Sequence, residues 1–374
     1  MSHAAPPKEV VSIQQLRGLA AMLVVLHHAS AAAPWLFSPL ANSTFGESGV
    51  DIFFVISGFI MVVAARGETV REFWLKRIVR IAPLYWLATL TFVAIRLPHF
   101  GEPDLTVGAV IKSLLFIPYR IDPTSWKVAP VLVPGWSLNI EMFFYLLFGL
   151  GLAVKRPALF SGILVCLAVI AGFIFQPANA ILFSFSRPIL LEFACGLALG
   201  SLYLSGRLPA RLWPLLFIGL AIIFSSDLLD EETRRAVRGI GGILVVTGAL
   251  ALEIGGTVRN LPFARAIGDG SYAIYLFHTM ILMMLRKVFP HVPLSGWPQF
   301  LAFIFVSLIL SAVGGYIVHR FVERPLTVFA RRLVLPRRQA TVPAEWVDEG
   351  TNGGDSVRRE TARGGIAEAR SPGL

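Results

Sequence analysis

The chain has 374 residues, of which 55% are hydrophobic and only 15% are charged, with a formal net charge of +10 and a mean hydropathy of +0.70. A soluble domain carries about 25% charged residues, so the composition excludes an ordinary soluble domain. The positive charge lies between apolar segments rather than in one basic patch, which argues against nucleic-acid binding.

The apolar residues fall in blocks of near-bilayer length. A membrane-spanning helix needs about 20 consecutive, mostly apolar residues, because hydrocarbon offers no partner to an unpaired backbone group. Ten blocks meet this requirement: 17–36, 48–65, 81–97, 137–154, 158–175, 186–204, 212–228, 238–255, 264–285 and 299–322. They predict an all-α, polytopic membrane bundle of about ten transmembrane helices. A short third block and a weak segment at 114–117 leave a count of nine to eleven open.

The basic residues between the blocks predict that both termini are cytoplasmic. Cytoplasmic loops carry an excess of Lys and Arg. With a cytoplasmic N-terminus, the basic residues at these places lie on the cytoplasmic side: Lys8 and Arg17, the loop 66–80, Lys155 and Arg156, Arg207 and Arg211, Arg259 and Arg265, and the segment 331–338. Arg234, Arg235 and Arg238 lie on the outer side, against the rule, beside the acidic residues 230–232.

The blocks leave little chain for a separate soluble domain. Residues 1–334 are therefore predicted to form one membrane domain, with the functional site among the helices or at their ends. Residues 335–374 are rich in Gly, Arg, Glu and Ala, which predicts a disordered cytoplasmic tail. The two cysteines, Cys166 and Cys195, lack the spacing of a metal site, so no metal is expected.

Arg17 and His28 are ionisable residues inside or beside the first block, where polar groups are costly and mark function by default. They are eleven residues apart, about 20° past three full helical turns, so they share a face. His28 is then about 16 Å deeper than Arg17, near the middle of the membrane. A neutral imidazole there can act as a general base. The alternative is a structural hydrogen bond for His28 and a headgroup contact for Arg17.

Asp51 enters the second block near the outer surface, where it either caps the helix or faces a cavity. Farther along, Arg77 and Arg80 are three residues apart and share a helical face. Two guanidinium groups on the cytoplasmic side suit a phosphorylated ligand, although basic residues beside a span are also ordinary topology signals.

Glu141 lies about one turn inside the outer surface in the fourth block, with Tyr145 one turn deeper on the same face. Its carboxylate is predicted to bind a ligand hydroxyl or to orient a histidine, with a structural interhelical bond as the alternative. Trp136 opens this block and is either an interfacial residue or part of the site. In the ninth block, Tyr275 and His278 share one face, which predicts a second polar group in the cavity.

Six segments occur in order between residues 12 and 330: RGLAAMLVVLHH, GVDIFFVISGF, RIVRIAPLYW, PGWSLNIEMFFY, IGDGSYAIYLFH and FVERPL. Together they resemble the acyltransferase-3 family of membrane O-acyltransferases. The family's Arg and His of the first helix match Arg17 and His28, and its paired arginines match Arg77 and Arg80. Its Glu after Trp-Ser-Leu matches Glu141, although the residues immediately around Glu141 match only loosely.

The resemblance implies transfer of an acyl group, acetyl by default, from cytosolic acyl-CoA, which serves as a co-substrate rather than a tightly bound cofactor. The implied acceptor is a hydroxyl of a cell-surface or lipid-linked glycan, and the implied location is the bacterial inner membrane. The compact chain most resembles the members that O-acetylate bacterial exopolysaccharide. The sequence assigns neither the acceptor sugar nor the oligomeric state.

In the mechanism that this resemblance implies, Arg17, Arg77 and Arg80 hold the CoA phosphates. His28 removes the proton from the acceptor hydroxyl, while Glu141 orients the acceptor or the imidazole. The residues expected to bind substrate in the outer part of the cavity are Asp51, Ser57, Trp136, Tyr275 and His278. Direct transfer and an acyl-histidine intermediate both stay open. The competing prediction is a transporter or flippase of a sugar-lipid, in which the same groups bind cargo without chemistry.

Overall fold

The computed structural model describes residues 10–31, 33–121 and 127–334, so the predicted tail at 335–374 lies outside the described residues. The α-helices in the described part are α1 (Val11–Ser30), α2 (Ser48–Ala64), α3 (Val70–Ile95), α4 (Val107–Leu114), α5 (Gly135–Ala153), α6 (Pro157–Phe175), α7 (Ala180–Ser184), α8 (Leu190–Leu204), α9 (Leu215–Ser225), α10 (Glu231–Ile254), α11 (Pro262–Asp269), α12 (Ser271–Val288), α13 (Gly296–Val318) and α14 (Arg324–Val334). The predicted all-α class is confirmed.

Each of the ten predicted blocks overlaps at least one helix, and the block 264–285 overlaps both α11 and α12. Eight segments of the described chain are long and apolar enough to cross a membrane: Phe45–Ala64, Val70–Ile95, Gly135–Ala153, Pro157–Phe175, Ala210–Leu228, Thr233–Ile254, Ser271–His291 and Gly296–Val334. The other two helices that overlap predicted blocks are α8 and α1. Helix α8 is short, with 15 residues, and α1 carries the polar residues Arg17, His27 and His28 within its 20 residues. The weak segment at 114–117 is not a span, because α4 ends at Leu114 after eight residues.

The exposed sides of the membrane-spanning helices are apolar, as a lipid-facing surface must be. On α6 the exposed large side chains recur at helical spacing: Leu159, Ile163, Leu167, Ile170, Phe173 and Ile174. A soluble monomer rarely exposes a contiguous apolar patch larger than a few hundred Å². This surface, together with the apolar spans, is that of a multi-pass integral membrane protein.

α1 lies earlier in the chain than the predicted block 17–36, since the helix covers Val11–Ser30. The carboxylate of Glu253 explains the early start, because it accepts the backbone N–H of Ser12 at 2.7 Å and so satisfies a free donor of the first turn. As a result His28 lies in the last turn of α1. The depth of His28 in the bilayer stays a prediction.

We name the two ends of the bundle from the predicted orientation: α1 begins at the cytoplasmic end and finishes at the outer end. Two of the three arginines that break the charge rule at the outer end have local acidic partners. Arg235 pairs with Glu231 one turn earlier on α10, and Arg238 pairs with Glu47 at 2.6 Å. Because these charges are neutralised locally, they carry little orientation signal.

Pro325 does not end a helix. The chain passes from α13 through a π-helical turn, His319–Glu323, directly into α14. Proline has no N–H to donate and is tolerated in the first turn of a helix, and the wider π turn lies just before it. The segment FVERPL thus joins two helices at the cytoplasmic end.

Helices α2 and α8 approach each other so closely that only glycine fits at the contact. A Cβ at Gly58 would lie 2.2 Å from the carbonyl oxygen of Phe193, and one at Gly196 would lie 2.2 Å from that of Val55. Small residues allow such backbone contact between membrane helices. This contact fixes the position of Ser57, the residue before Gly58.

Candidate active site

A cavity of about 760 Å³ lies between α1, α2, α3, α5 and α12. We call it the central cavity. Five of the residues predicted for the site line it: Arg17, Ser57, Arg80, Glu141 and Tyr275. The fold therefore brings together side chains from five helices that are far apart in the sequence.

Glu141 is held in the central cavity by two hydrogen bonds to one carboxylate oxygen. Oε1 accepts from the Ser57 hydroxyl at 2.9 Å and from the Tyr145 hydroxyl at 2.6 Å. The first bond joins α5 to α2, and the second comes from one turn deeper on α5. Since both bonds are made inside the cavity, Glu141 is oriented towards whatever the cavity holds, and neither bond involves His28.

A second cavity of about 850 Å³ opens at the cytoplasmic end and is lined mainly by charged residues. We call it the mouth cavity. Its basic lining residues are Arg17, Arg80, His319, Arg320, Arg324 and Arg331, and its acidic ones are Asp269 and Glu323. Arg17 and Arg80 line both cavities. The mouth cavity and the central cavity therefore meet at these two guanidinium groups.

Arg77 lies apart from Arg80 and lines neither cavity. Its side chain is buried, with the guanidinium 5.3 Å from the centre of the Phe73 ring and 3.9 Å from the Glu68 carboxylate. Residues three apart on a helix differ by about 60° in direction, which is enough to turn one arginine into the cavities and the other into the protein. The predicted arginine pair is thus divided between two environments.

His28 presents one ring nitrogen suited to accept a proton. Its Nδ1 lies 2.9 Å from the carbonyl oxygen of Val24. A carbonyl only accepts, so Nδ1 carries the hydrogen, and Nε2 of the neutral ring keeps its lone pair. This is the tautomer that a general base needs, and the backbone of α1 itself selects it.

His28 lies on the outer side of the central cavity, two ring contacts away from it. The ring centres of His28 and His278 are 5.0 Å apart, and those of His278 and Tyr275 are 6.1 Å apart. Tyr275 lines the cavity, whereas neither histidine does. His278 is fully buried, and its Nε2 has no hydrogen-bond partner among the described residues. The two imidazoles form one polar cluster above the cavity.

Asp51 is directed away from the central cavity, into the contact between α2, α8 and α10. It is 5% exposed and lies 3.7 Å from Arg238 on α10, close to the Glu192 side chain of α8. Asp51 thus belongs to an interhelical cluster rather than to the cavity lining that the sequence suggested.

Trp136 lies beside the central cavity rather than in its lining. One neighbour is Phe54, a cavity-lining residue whose ring centre is 6.2 Å away. Another is Arg187, whose guanidinium lies 5.3 Å from the centre of the Trp136 ring. Trp136 therefore separates the central cavity from the start of α8.

A family model described as an acyltransferase domain matches residues 10–316 of the chain. The chain belongs to the acyltransferase-3 family. It is 39% identical over 295 residues to the exopolysaccharide production protein ExoZ of Rhizobium meliloti, which covers 76% of this chain and 90% of that relative. The predicted family and the predicted acyltransferase class are confirmed.

More distant relatives have other printed names. The chain is 26% identical to the acyltransferase MdmB of Streptomyces mycarofaciens, over 92% of this chain and 98% of the relative. It is also 26% identical to the putative peptidoglycan O-acetyltransferase YrhL of Bacillus subtilis, over 88% of this chain and 57% of the relative. No solved structure matches the chain.

Some site residues of this family member were not singled out from the sequence. Arg320, Arg324 and Arg331 line the mouth cavity, and their spacings of four and eleven residues place them on one helical face. This periodicity was a usable signal, although basic residues at a cytoplasmic end were interpreted as topology. Glu192 is an acidic residue inside an apolar block. Ionisable residues inside such a block mark function by default, and this rule, which identified His28, also applied to Glu192.

Proposed function

We propose that the protein is an O-acyltransferase of the bacterial inner membrane. It transfers an acyl group, acetyl in the simplest case, from cytosolic acyl-CoA to a hydroxyl of a cell-surface or lipid-linked glycan such as exopolysaccharide. The observation that carries the proposal is the meeting of the mouth cavity and the central cavity at Arg17 and Arg80. The names of the relatives in Rhizobium meliloti and Bacillus subtilis support a polysaccharide acceptor.

The mouth cavity has the chemistry expected for the phosphates of CoA. Guanidinium groups bind phosphate oxygens in pairs of hydrogen bonds, and five arginines line this cavity: Arg17, Arg80, Arg320, Arg324 and Arg331. With the phosphates held there, the pantetheine arm passes Arg17 and Arg80 and carries the thioester through the central cavity towards the imidazoles of His278 and His28. Arg77, which the sequence grouped with Arg80, contributes to folding and not to this contact.

The acceptor hydroxyl approaches from the outer side, on which His28 lies. His28 takes the hydroxyl proton while the oxygen attacks the thioester carbonyl. The carbon–sulfur bond then breaks, and the imidazolium returns the proton to the CoA thiolate. The products are an ester and free CoA. General-base catalysis contributes on the order of a hundred- to ten-thousand-fold, so positioning in the cavities supplies much of the remaining acceleration. An acyl group carried briefly on the same nitrogen gives the same products.

Glu141 acts on the substrate rather than on the imidazole in this proposal. Its carboxylate is bonded to Ser57 and Tyr145 inside the central cavity. A carboxylate accepts up to about four hydrogen bonds, so the group retains acceptor capacity for a donor amide or a substrate hydroxyl. The Ser57 and Tyr145 bonds keep it in place.

Thiol release tests this proposal against a transporter. Membranes containing the protein are mixed with acetyl-CoA and de-O-acetylated exopolysaccharide, and free CoA is measured with a thiol reagent. We expect release that requires both the protein and the polysaccharide, with acetyl esters appearing on the polysaccharide. Release no greater than in membranes without the protein would contradict the proposal, since a transporter releases no CoA.

A further inference from the structure

A third cavity, of about 690 Å³, lies at the outer end between α6, α7 and the start of α8. We call it the outer pocket. Its lining includes two aromatic rings, an amide, a hydroxyl and a guanidinium: Phe173, Phe183, Gln176, Ser186 and Arg187. Ligand sites typically combine an apolar wall with a few polar groups that fix orientation. A sugar has both kinds of surface, because its ring faces are apolar and its edges carry hydroxyl groups.

Arg187 is the charged group of the outer pocket. It is partly buried, and within the described part of the chain its guanidinium donates no hydrogen bond and lies against the Trp136 ring. A guanidinium has five N–H donors, and those of a partly buried side chain stay accessible to the oxygen atoms of a ligand.

The charges around Arg187 leave it available for such a ligand. The carboxylates of Glu192, Asp51 and Glu47 are near enough to attract it, and Arg235 is near enough to repel it. Asp51, however, lies 3.7 Å from Arg238. Glu47 is paired with Arg238 at 2.6 Å. The nearby negative charge therefore orients Arg187 without occupying its donors.

The outer pocket also lies next to the proposed reaction site. Arg187 lies over the Trp136 ring, and Trp136 packs on Phe54, which lines the central cavity. The next residue, Ser137, lines the central cavity and bonds the Tyr275 hydroxyl at 2.8 Å. Trp136 is therefore the wall between the outer pocket and the central cavity, on the opposite end of the bundle from the mouth cavity.

We propose that the outer pocket binds the glycan acceptor. Arg187 donates hydrogen bonds to its oxygen atoms, and Phe173 and Phe183 pack against the apolar faces of its sugar rings. The identity of the ligand as acceptor rests on the proposed function. A phospholipid headgroup is the competing occupant, since Phe173 is 66% exposed on the lipid-facing side of α6. The neutral polar groups of Gln176 and Ser186 favour a hydroxyl-rich ligand.

The test is direct binding without a donor. The full-length protein is placed in phosphatidylcholine nanodiscs and dialysed against fluorescently labelled oligosaccharide repeating units of the host exopolysaccharide, prepared from a strain lacking the protein. We expect Arg187→Gln to weaken binding on the order of 10- to 100-fold, as for a lost hydrogen bond to a charged group. Arg96→Gln is the matched control, because it removes a charge at the same end from a residue paired with Glu102 and Asp104 and outside the pocket.

Three results would overturn the proposal: no binding by the wild-type protein, equal binding by wild type and Arg187→Gln, or wild-type binding that phosphatidylglycerol discs abolish. The last result would assign the pocket to a phospholipid headgroup. If Arg187→Gln melts early, Arg187→Lys carries the test, since it keeps the charge and loses the planar fork. Binding without CoA release by the wild-type protein would refute the proposed function and leave the pocket assignment standing.

Discussion

At the residue scale, Arg77 and Arg80 are identical side chains in one short motif with different surroundings. Arg80 lines both the mouth cavity and the central cavity. Arg77 is 6% exposed and contacts Glu68 and Phe73. In the proposed function, Arg80 binds a phosphorylated donor. Arg77 neutralises the carboxylate of Glu68, which is itself shielded from solvent.

Substituting the two arginines separates donor binding from folding. We expect Arg80→Gln to raise the KM for acetyl-CoA about tenfold or more, as for one lost charged hydrogen bond, with little change in melting temperature. Arg77→Gln leaves the carboxylate of Glu68 with only its bond to Lys76, so we expect a lower melting temperature and a nearly unchanged KM. Both quantities are measured on purified protein in detergent. An equal rise in KM for both variants, at constant stability, would contradict this division.

Helical spacing predicted which residues share a face, but not what each face contacts. The eleven-residue interval placed Arg17 and His28 on one face of α1. Arg17 lines the mouth cavity and the central cavity, and His28 lies on the outer side of the central cavity. The predicted bounds of the first helix were displaced because the start of α1 depends on Glu253, a residue 242 positions away from Val11. Such long-range capping leaves no local signal in the sequence.

At the element scale, the contact between α2 and α8 determines where the cavity wall lies. Gly58 and Gly196 meet with no room for a Cβ, so the two backbones are in direct contact. Ser57 lies next to this contact and bonds Glu141 across the cavity. The glycines were readable in the sequence, but their partner helix was not, because many glycines occur in the apolar blocks.

A larger side chain at the contact is expected to push α2 and α8 apart. Gly196→Leu inserts atoms where a Cβ alone would meet Val55 at 2.2 Å, and overpacking of this kind costs about 1–3 kcal/mol or more. We expect a lower melting temperature and loss of activity together. Gly162→Leu is the control, since a Cβ there meets nothing within 4 Å. Equal melting temperatures for the two variants would show that the contact is not tight.

At the scale of the whole molecule, three cavities lie in series from the cytoplasmic end to the outer end. The mouth cavity and the central cavity meet at Arg17 and Arg80, and Trp136 separates the central cavity from the outer pocket. The all-α class, the approximate bounds of most long helices and the family were predictable from apolar blocks and six short segments, whereas the predicted count of about ten spans stays a prediction beside the eight candidate spans of the described chain. The cavities were not, because each is lined by helices whose contacts depend on packing across the whole chain.

In the proposed function, His28 accepts the proton in acyl transfer to a glycan. The most direct test expresses the protein, His28→Gln and His27→Gln at equal membrane levels in a host lacking the enzyme. Ester-linked acyl groups on the isolated surface polysaccharide are then followed by proton NMR. His27 is the matched control, because its ring pairs with Glu47 at 3.4 Å while His28 is turned towards His278.

We expect ester signals with the wild-type protein and with His27→Gln. With His28→Gln we expect a signal reduced at least about a hundredfold, the loss expected for a missing general base. The shifted sugar protons would also identify the modified hydroxyl. An ester signal from His28→Gln equal to that of the wild type would show that His28 is not the general base.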